Sequence, residues 1–421
     1  MKVGIIGSGG REHALCVSLN KSKLVEKIYC IPGNAGTSQI AENIDFDIGD
    51  FERLTNLIKE KQIEIVLVGP EKPLVEGIVD HLEKENIKVF GPNKFASQLE
   101  GSKIFTKKIC KEYKIPTAKF EIYKNKESAY HFFKECIFPI VVKADGLAAG
   151  KGVYICENRD QSKQAVDEIF GGKFEKSEEV LVEEFLKGEE MSFFIISDGI
   201  SFKKFGTAQD HKRVFEGDKG KNTGGMGAYS PSRLENDELD EKIIEKIIQP
   251  TLNALEQKNQ KFIGFLYAGL MVINNEPYLI EYNVRMGDPE CQTIMPKLNT
   301  DFGEILNACV NDNLESINIE WSSNKSICIV LCSKGYPEKY TNFIEIKNLD
   351  KIKLKNNKFI YHAGTKKEGT KIFSNGGRVL NFVNISKNFK ESREEIIQLI
   401  RKINWENGFF RNDIGYKVID Q

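Results

Sequence analysis

The first hundred residues alternate short apolar runs with amphipathic ones, and no other feature of the chain restricts its fold as much. Val3 to Ile6, Lys27 to Ile31, Ile63 to Val68 and Lys88 to Phe90 have the length and apolar character of strands; Arg11 to Leu19, Phe51 to Lys61 and Leu74 to Glu85 carry the period of helices. Alternation of this kind predicts a doubly wound parallel sheet, whose ligand crevice lies at the carboxyl ends of the strands. Three turns fall at those ends: Gly7-Ser8-Gly9-Gly10-Arg11-Glu12, Pro32-Gly33-Asn34-Ala35-Gly36-Thr37 and Gly69-Pro70-Glu71-Lys72-Pro73.

The first of these turns is not a dinucleotide fingerprint. Glu12 stands where the third glycine belongs, and the second strand runs into Cys30-Ile31-Pro32 instead of a ribose-binding acid. Gly9, Gly10 and Arg11 at a helix start still suit a small phosphorylated or carboxylated ligand. Glu71, between two prolines, is either a rigidly placed carboxylate suited to an amine or part of a solvated turn.

Beyond this region, Ile137 to Val142 forms an apolar run that delivers Lys143 at its end. A loop with Gly146, Gly150, Lys151 and Gly152 follows, and Val153-Tyr154-Ile155 resumes strand character. Glycine frees backbone N–H groups to surround phosphate oxygens, and the two lysines supply charge for a triphosphate. The same pattern also describes an ordinary hairpin with solvated lysines. A P-loop is excluded, because only three residues separate Gly146 from Gly150, and a strand follows where a helix should.

Further along, Val180 to Leu186 is a strand run that ends in acid, with Glu183 placed to meet an adenine amino group and Glu190 to meet ribose hydroxyls; a charged strand end would look the same. Residues 206–231 are glycine-rich and polar and predict a long functional loop containing Asp210, Asn222 and Gly225. After a helix from Glu241 to Gln257, two apolar runs meet at Asn274-Asn275 and predict a hairpin. Its second strand carries Glu281 and Asn283 on one face, hard oxygen ligands for a Mg²⁺ that keeps waters and bridges phosphates. Arg285 continues that two-residue period. From Ser323 onward, strands at Ser326 to Cys332, Lys351 to Leu354, Ile360 to His362 and Arg378 to Val383, with a helix at Ser392 to Ile403, predict a small α+β unit.

Bulk properties narrow the function. At 421 residues several domains are expected, and 60 basic against 61 acidic residues leave a net charge of −1 without long blocks of one sign, so nucleic acid is not an expected partner. Apolar runs fall short of the ~20 residues a membrane span needs, and the chain enters a strand at once, which points to a cytoplasmic protein with no membrane contact. Nine cysteines without a Cys-x-x-Cys pair and five dispersed histidines argue against a disulfide framework or a zinc site, and Cys328 and Cys332 read as core.

In order and spacing, Lys103, Lys143 with its glycine loop, Glu183 to Glu190 and Glu281-x-Asn283 resemble the ATP-grasp superfamily. Longer strings carry a narrower resemblance, to the phosphoribosylamine-glycine ligase family: Gly-Ser-Gly-Gly-Arg-Glu-His-Ala, Lys-Ala-Asp-Gly-Leu-Ala-Ala-Gly-Lys-Gly, Asn-Thr-Gly-Gly-Met-Gly-Ala-Tyr-Ser-Pro, Gly-Asp-Pro-Glu and Asn-Gly-Gly-Arg-Val-Leu. The resemblance implies a multidomain α/β and α+β protein: an N-terminal α/β domain over 1–100, an ATP-grasp domain over 101–322 with a lid at about 119–190, and a C-terminal α+β domain over 323–421. It implies ATP-dependent ligation of glycine to 5-phosphoribosylamine through glycyl phosphate, in de novo purine synthesis, by a monomer with at most transient contact with neighbouring pathway enzymes.

By the same resemblance, Lys103, Lys143, Gly146, Gly150, Lys151, Gly152, Glu183, Phe185, Leu186 and Glu190 bind ATP, and Glu281 and Asn283 hold Mg²⁺ or Mn²⁺. Lys143, Asp210 and Arg285 act on the reacting groups. Gly10, Arg11, Glu71, Asp210, Asn222, Gly225, Arg285, Asp288, Lys366 and Arg378 meet the acceptor substrates, the last two on the 5-phosphate. Where many superfamily members carry a second metal-binding carboxylate, this chain has Gly269 and Leu270. Competing readings are another ATP-grasp carboxylate-amine ligase, a biotin-carboxylase-like enzyme, and a nucleotide-binding regulator without chemistry.

Overall fold

The structure, a computed structural model, describes residues 1–147, 152–174 and 178–419. The N-terminal sheet has five parallel strands in the spatial order Glu42–Asn43, Lys27–Pro32, Lys2–Gly7, Ile65–Val68, Lys88–Phe90. Val3, Ile5, Ile6 and Val66 are fully buried, as strands covered by helices on both faces require. The single helix expected over Leu74 to Glu85 is two, Glu71–Glu76 and Ile78–Lys84, because Gly77 adopts φ +98° and ends the first in a left-handed cap. Glu71 therefore opens a helix behind Pro70 and does not sit in a free turn.

An antiparallel sheet follows, ordered Phe120–Tyr123, Val180–Glu184, Ile140–Ala144, Val153–Cys156. Helices Lys126–Phe132 and Arg159–Phe170 cover it, each started by an asparagine whose side chain accepts a backbone N–H of the first turn. Phe133, Val142, Val166 and Val182 belong to a core confined to this unit. It joins the remaining protein as a small separate layer carrying Lys143 and Glu183.

The largest sheet is ordered Glu276–Asn283, Ile263–Ile273, Glu189–Asp198, Phe202–Asp210, Gly227–Ser230, Lys325–Ser333, Arg378–Ser386, Lys358–His362, with Gly408–Phe409 paired to Lys325–Ser333. Most of the loop expected over 206–231 is in fact strand: Phe202–Asp210 and Gly227–Ser230 belong to this sheet, and between them Arg213–Phe215 pairs with Lys219–Asn222 as a ribbon. Through Gly227–Ser230 the sheet runs without a break into the C-terminal strands. The helix expected over Glu241 to Gln257 changes from α to π at Ile244–Ile248 just before Pro250, which has no N–H to donate. The strand expected over 351–354 is turn and loop. All nine cysteines are unpaired, with Cys328 and Cys332 wholly buried, and no helix among the described residues is long and apolar enough to cross a membrane.

Candidate active site

The glycine loop is tied to the helix that carries Lys103. Asp145, just past the strand Ile140–Ala144, accepts Ser102 Oγ at 3.0 Å and Ile104 N at 3.1 Å, so its carboxylate sits at the positive start of Lys103–Glu112. Lys103 Nζ donates to Gly146 O at 2.9 Å, and burial draws its pKa below the usual lysine range against the field of Glu281. Gly146 takes φ +88°, a conformation L side chains rarely adopt, and no atom of the described residues lies within 4 Å of where a Cβ would stand. Ala144 N donates to Gly152 O at 2.8 Å and closes the loop; Gly150 and Lys151 lie outside the described residues.

Lys143 and Glu183 lie on neighbouring strands and pair at 2.8 Å, while Lys107 pairs with the other carboxylate oxygen at 2.9 Å. The three side chains are almost wholly buried and carry a net positive charge. Burial works to neutralise Glu183, but the two lysines outweigh it and hold its pKa below the ordinary glutamate value. Its oxygens are thus engaged by lysines. Phe185 is 38% exposed beyond the end of the strand.

A small cleft opens on the large sheet, lined by Glu190, Asp210, Lys212, Tyr267 and Glu281 among others. Lys212 Nζ lies 2.8 Å from Glu190 Oε2, and Glu190 and Asp210 hold the ammonium well above its usual pKa despite burial. Burial pushes Asp210 up to about 7, opposed by Lys212 and reinforced by Glu290 and Glu190. Along the hairpin strand, half-buried Glu281, Asn283 and Arg285 alternate with buried Tyr282, Val284 and Met286, which puts the three on one side as expected. Glu281 and Asn283 side chains make no hydrogen bond or ion pair among the described residues, so their oxygens are available to a cation. Gly269 pairs directly with Glu281, and a Cβ there would stand 3.3 Å from Glu281 Cγ. The absent second carboxylate leaves room for the first.

The acceptor-side residues gather where the N-terminal turns meet the large sheet. Arg285 reaches Glu71 Oε2 at 3.2 Å and Glu100 Oε1 at 2.6 Å. Arg285 holds Glu71 down at about 2, whereas burial lifts Glu100 to about 7. Arg11 donates to Met286 O and pairs with Glu12, whose other oxygen accepts Gly9 N at 2.6 Å. Glu12 thereby fills the space that a dinucleotide-binding turn keeps open. At Gly10 a Cβ would stand 2.3 Å from Asn381 Nδ2 and 2.5 Å from Gln292 Nε2, so any larger residue there would have to displace two buried amides. Asp288 accepts Gln292 at 2.7 Å and lies 3.3 Å from Arg378, which also donates to Gly224 O at 2.6 Å. Gly225 has φ +111° and abuts Pro289.

Two residues take no part in these contacts among the described residues. Lys366, on the exposed ribbon Thr365–Glu368, contacts Glu368 and the Phe343 ring, and Asn222 ends the exposed strand Lys219–Asn222. Sequence reading overlooked Lys107, Glu100, Lys212 and Glu290 as site residues. Lys107 and Glu100 face partners 76 and 185 residues away, distances at which no local pattern survives; Lys212, adjacent to the singled-out Asp210, carried a usable signal.

A small antiparallel layer presenting a buried lysine–glutamate pair, set over a larger sheet whose hairpin presents a carboxylate and an amide, defines an ATP-grasp protein. The chain belongs to the phosphoribosylglycinamide synthetase family: family models for its N domain, ATP-grasp (A) domain and C domain match residues 1–100, 101–291 and 326–417. It is 43% identical to the phosphoribosylamine--glycine ligase of Brucella melitensis over 100% of this chain and 99% of that protein, and 43% identical to that of Caldanaerobacter subterraneus over 99% of each. The crystal structure of the Thermotoga maritima phosphoribosylamine--glycine ligase is similar with a TM-score of 0.87 at 32% identity, covering 99% of this chain and 100% of that one. The biotin carboxylase domain of the Hydrogenobacter thermophilus 2-oxoglutarate carboxylase, solved with MgADP, shares the fold at 17% identity and a TM-score of 0.72, over 97% of this chain and 91% of that one.

Proposed function

We propose that the chain joins glycine to 5-phosphoribosylamine at the cost of one ATP. A glycine carboxylate oxygen attacks the γ-phosphorus and ADP leaves, giving glycyl phosphate; the amine nitrogen then attacks the acyl carbon, loses a proton and expels phosphate. The products are glycinamide ribonucleotide, ADP and phosphate. The observation that carries this reading is the position of Glu281, within the electrostatic reach of both Lys103 beside the glycine loop and Lys212 beside Asp210. Nucleotide phosphates and the glycine carboxylate would therefore meet at one protein carboxylate.

Phosphoryl transfer depends on positioning and charge neutralisation more than on a protein nucleophile. Lys103, Lys143 and the glycine loop neutralise the phosphates, Glu183, Phe185 and Leu186 frame the adenine, and Glu190 takes the ribose. Glu281 and Asn283 fit Mg²⁺ or Mn²⁺: both ligands are hard oxygens, and no cluster of three or more His, Cys, Asp or Glu among the described residues offers a protein cage instead. Such an ion, when bound, spreads the charge of the β- and γ-phosphates. Arg285 and Asp210 orient the carboxylate and acyl phosphate, and the segment from Asn222 to Gly227 keeps water from that intermediate. Glu71, Asp288, Gly10 and Arg11 hold the amino sugar, with Lys366 and Arg378 on its phosphate.

The test is ADP release with ATP, Mg²⁺, glycine and freshly generated phosphoribosylamine, each omitted in turn, with the product identified by mass. Turnover that needs all four and yields glycinamide ribonucleotide supports the reading. Turnover with a different acid or amine, or ATP binding without cleavage, would refute it.

A further inference from the structure

The ribbon between Asp210 and Asn222 has little apolar substance of its own: Val214 is buried, but Phe215 is 60% exposed and the rest is polar or glycine. Its turn takes φ +67° at Gly217 and +53° at Asp218, the sense a two-residue hairpin turn favours, but a lone two-stranded ribbon is marginal in water. What holds it is the end of the chain. Arg411, 1% exposed, donates to both carboxylate oxygens of Asp413 at 2.8 and 2.7 Å, to Asp218 Oδ1 at 2.9 Å and to the carbonyl of Arg213 at 2.9 Å. Asp413 in turn accepts Gly217 N, Glu216 accepts the backbone and side-chain nitrogens of Asn412, and Tyr416 donates to Asp218 at 2.9 Å.

The grip reaches the cleft itself. His211 lies between the two cleft residues Asp210 and Lys212 and is 1% exposed. Gly415 N donates to its Nε2 at 2.9 Å, which leaves the proton on Nδ1, facing Asp218 at 3.5 Å. Ile414 packs where a Cβ on Gly227 would stand, at the point where the chain returns to the sheet.

We propose that the C-terminal segment 411–417 is a positioning element of the active site, fixing through Arg411, Asp413 and Gly415 the ribbon that leaves the sheet at Asp210 and the Lys212 at its start. It rests on the proposed ligase reading, because its consequence is measured on the acyl phosphate. With the ribbon held, Asp210 and Lys212 keep their places and the intermediate is shielded; with it loosened, water competes with the amine for the acyl carbon.

The experiment compares the full-length wild type with Arg411→Gln and Asp218→Asn. It measures kcat, ADP released per product formed, and hydrogen exchange along the chain. The expected result is a kcat lowered at least tenfold, more than one ADP per product, and faster exchange confined to 211–223 and the facing segment 411–417, with exchange in the N-terminal sheet unchanged. A merely structural role would lower rate and product together and keep the ratio at one, and that result would overturn the proposal, as would wild-type kcat and coupling. Should Arg411→Gln fail to fold, Asp218→Asn decides, since it keeps the arginine and its Asp413 partner. A wild type that makes no glycinamide ribonucleotide refutes the ligase reading instead; the exchange pattern then still decides whether the segment holds the ribbon.

Discussion

Arg285 Nη2 and Glu100 Oε1 stand 2.6 Å apart, joining the end of the metal-side hairpin to the helical turn Gln98–Gly101 at the close of the N-terminal region. Glu100 also accepts Val284 N at 2.8 Å through its other oxygen. One buried acid thus fixes both the backbone and the guanidinium of the strand end that carries Arg285.

Because burial lifts Glu100 to about 7, its folded value lies above its unfolded one. The stability this group contributes is complete below the unfolded value near 4.5 and is lost as pH rises through about 7. Glu100→Gln keeps an acceptor for Val284 N and removes that pH dependence. Glu100→Ala leaves the N–H and Arg285 short of a partner and costs about 2 kcal/mol. Urea unfolding from pH 5 to 8 checks both, with the Gln variant overtaking the wild type at the alkaline end.

Glu183 holds two lysines whose side chains are 3% and 6% exposed. Glu183→Gln leaves two buried ammonium groups facing each other without a counter-charge, for a loss of about 3–5 kcal/mol. Adding Lys107→Met to that variant recovers much of the loss, since one lysine then remains. Equal stability of the single and double variants would show that Lys107 is not coupled to Glu183.

Some of this architecture was legible in residues and some was not, for physical reasons. The N-terminal sheet announced itself through alternation, and the hairpin Ile263–Ile273 to Glu276–Asn283 through Asn274-Asn275, which adopt φ +51° and +62° in its turn. Glu189–Asp198 and Phe202–Asp210 were missed because Glu189, Glu190, Lys203, Lys204 and Gly206 interrupt their apolar pattern; neighbouring strands decide their state. The site's glycines and its Glu281-x-Asn283 pair were readable as local strings. Glu100, Lys107 and Arg411 were not, since each acquires its meaning from a partner distant in the chain.

Glu281 lines the cleft without a hydrogen bond or ion pair of its own among the described residues, so a neutral replacement disturbs the fold little. Glu281→Gln is expected to abolish glycine-dependent ADP release while shifting the unfolding midpoint by no more than a surface substitution does, within about 0.5 kcal/mol. Retained activity at ordinary Mg²⁺ would remove the metal role from this residue. Chelation of Mg²⁺ in the wild type should reproduce the loss reversibly.

Arg378 already bonds to Asp288 and to Gly224 O, and Asp288 in turn abuts Gly9 of the first N-terminal turn. Losing one charge-assisted contact to a phosphate is worth about 1.5–3 kcal/mol, or roughly 10- to 100-fold in affinity. Arg378→Ala is therefore expected to raise KM for phosphoribosylamine by that factor and KM for ATP far less. Equal effects on both would refute the phosphate assignment.

Asp210, like Glu100, is a site acid placed to respond to physiological pH. Burial raises it to about 7, with Glu290 and Glu190 adding to the effect and Lys212 opposing it. If its carboxylate orients the glycyl group, kcat/KM for glycine climbs as pH rises through 7 and levels off above it. Asp210→Asn should lose at least tenfold in rate and also lose that acid limb. Lys212→Met, which removes the opposing charge, should move the limb of the remaining activity to higher pH, because the carboxylate then ionises with less help. A limb that stays put in Lys212→Met would separate the two residues and leave Asp210 without the neighbour that the 2.8 Å pairing of Lys212 with Glu190 now holds beside it.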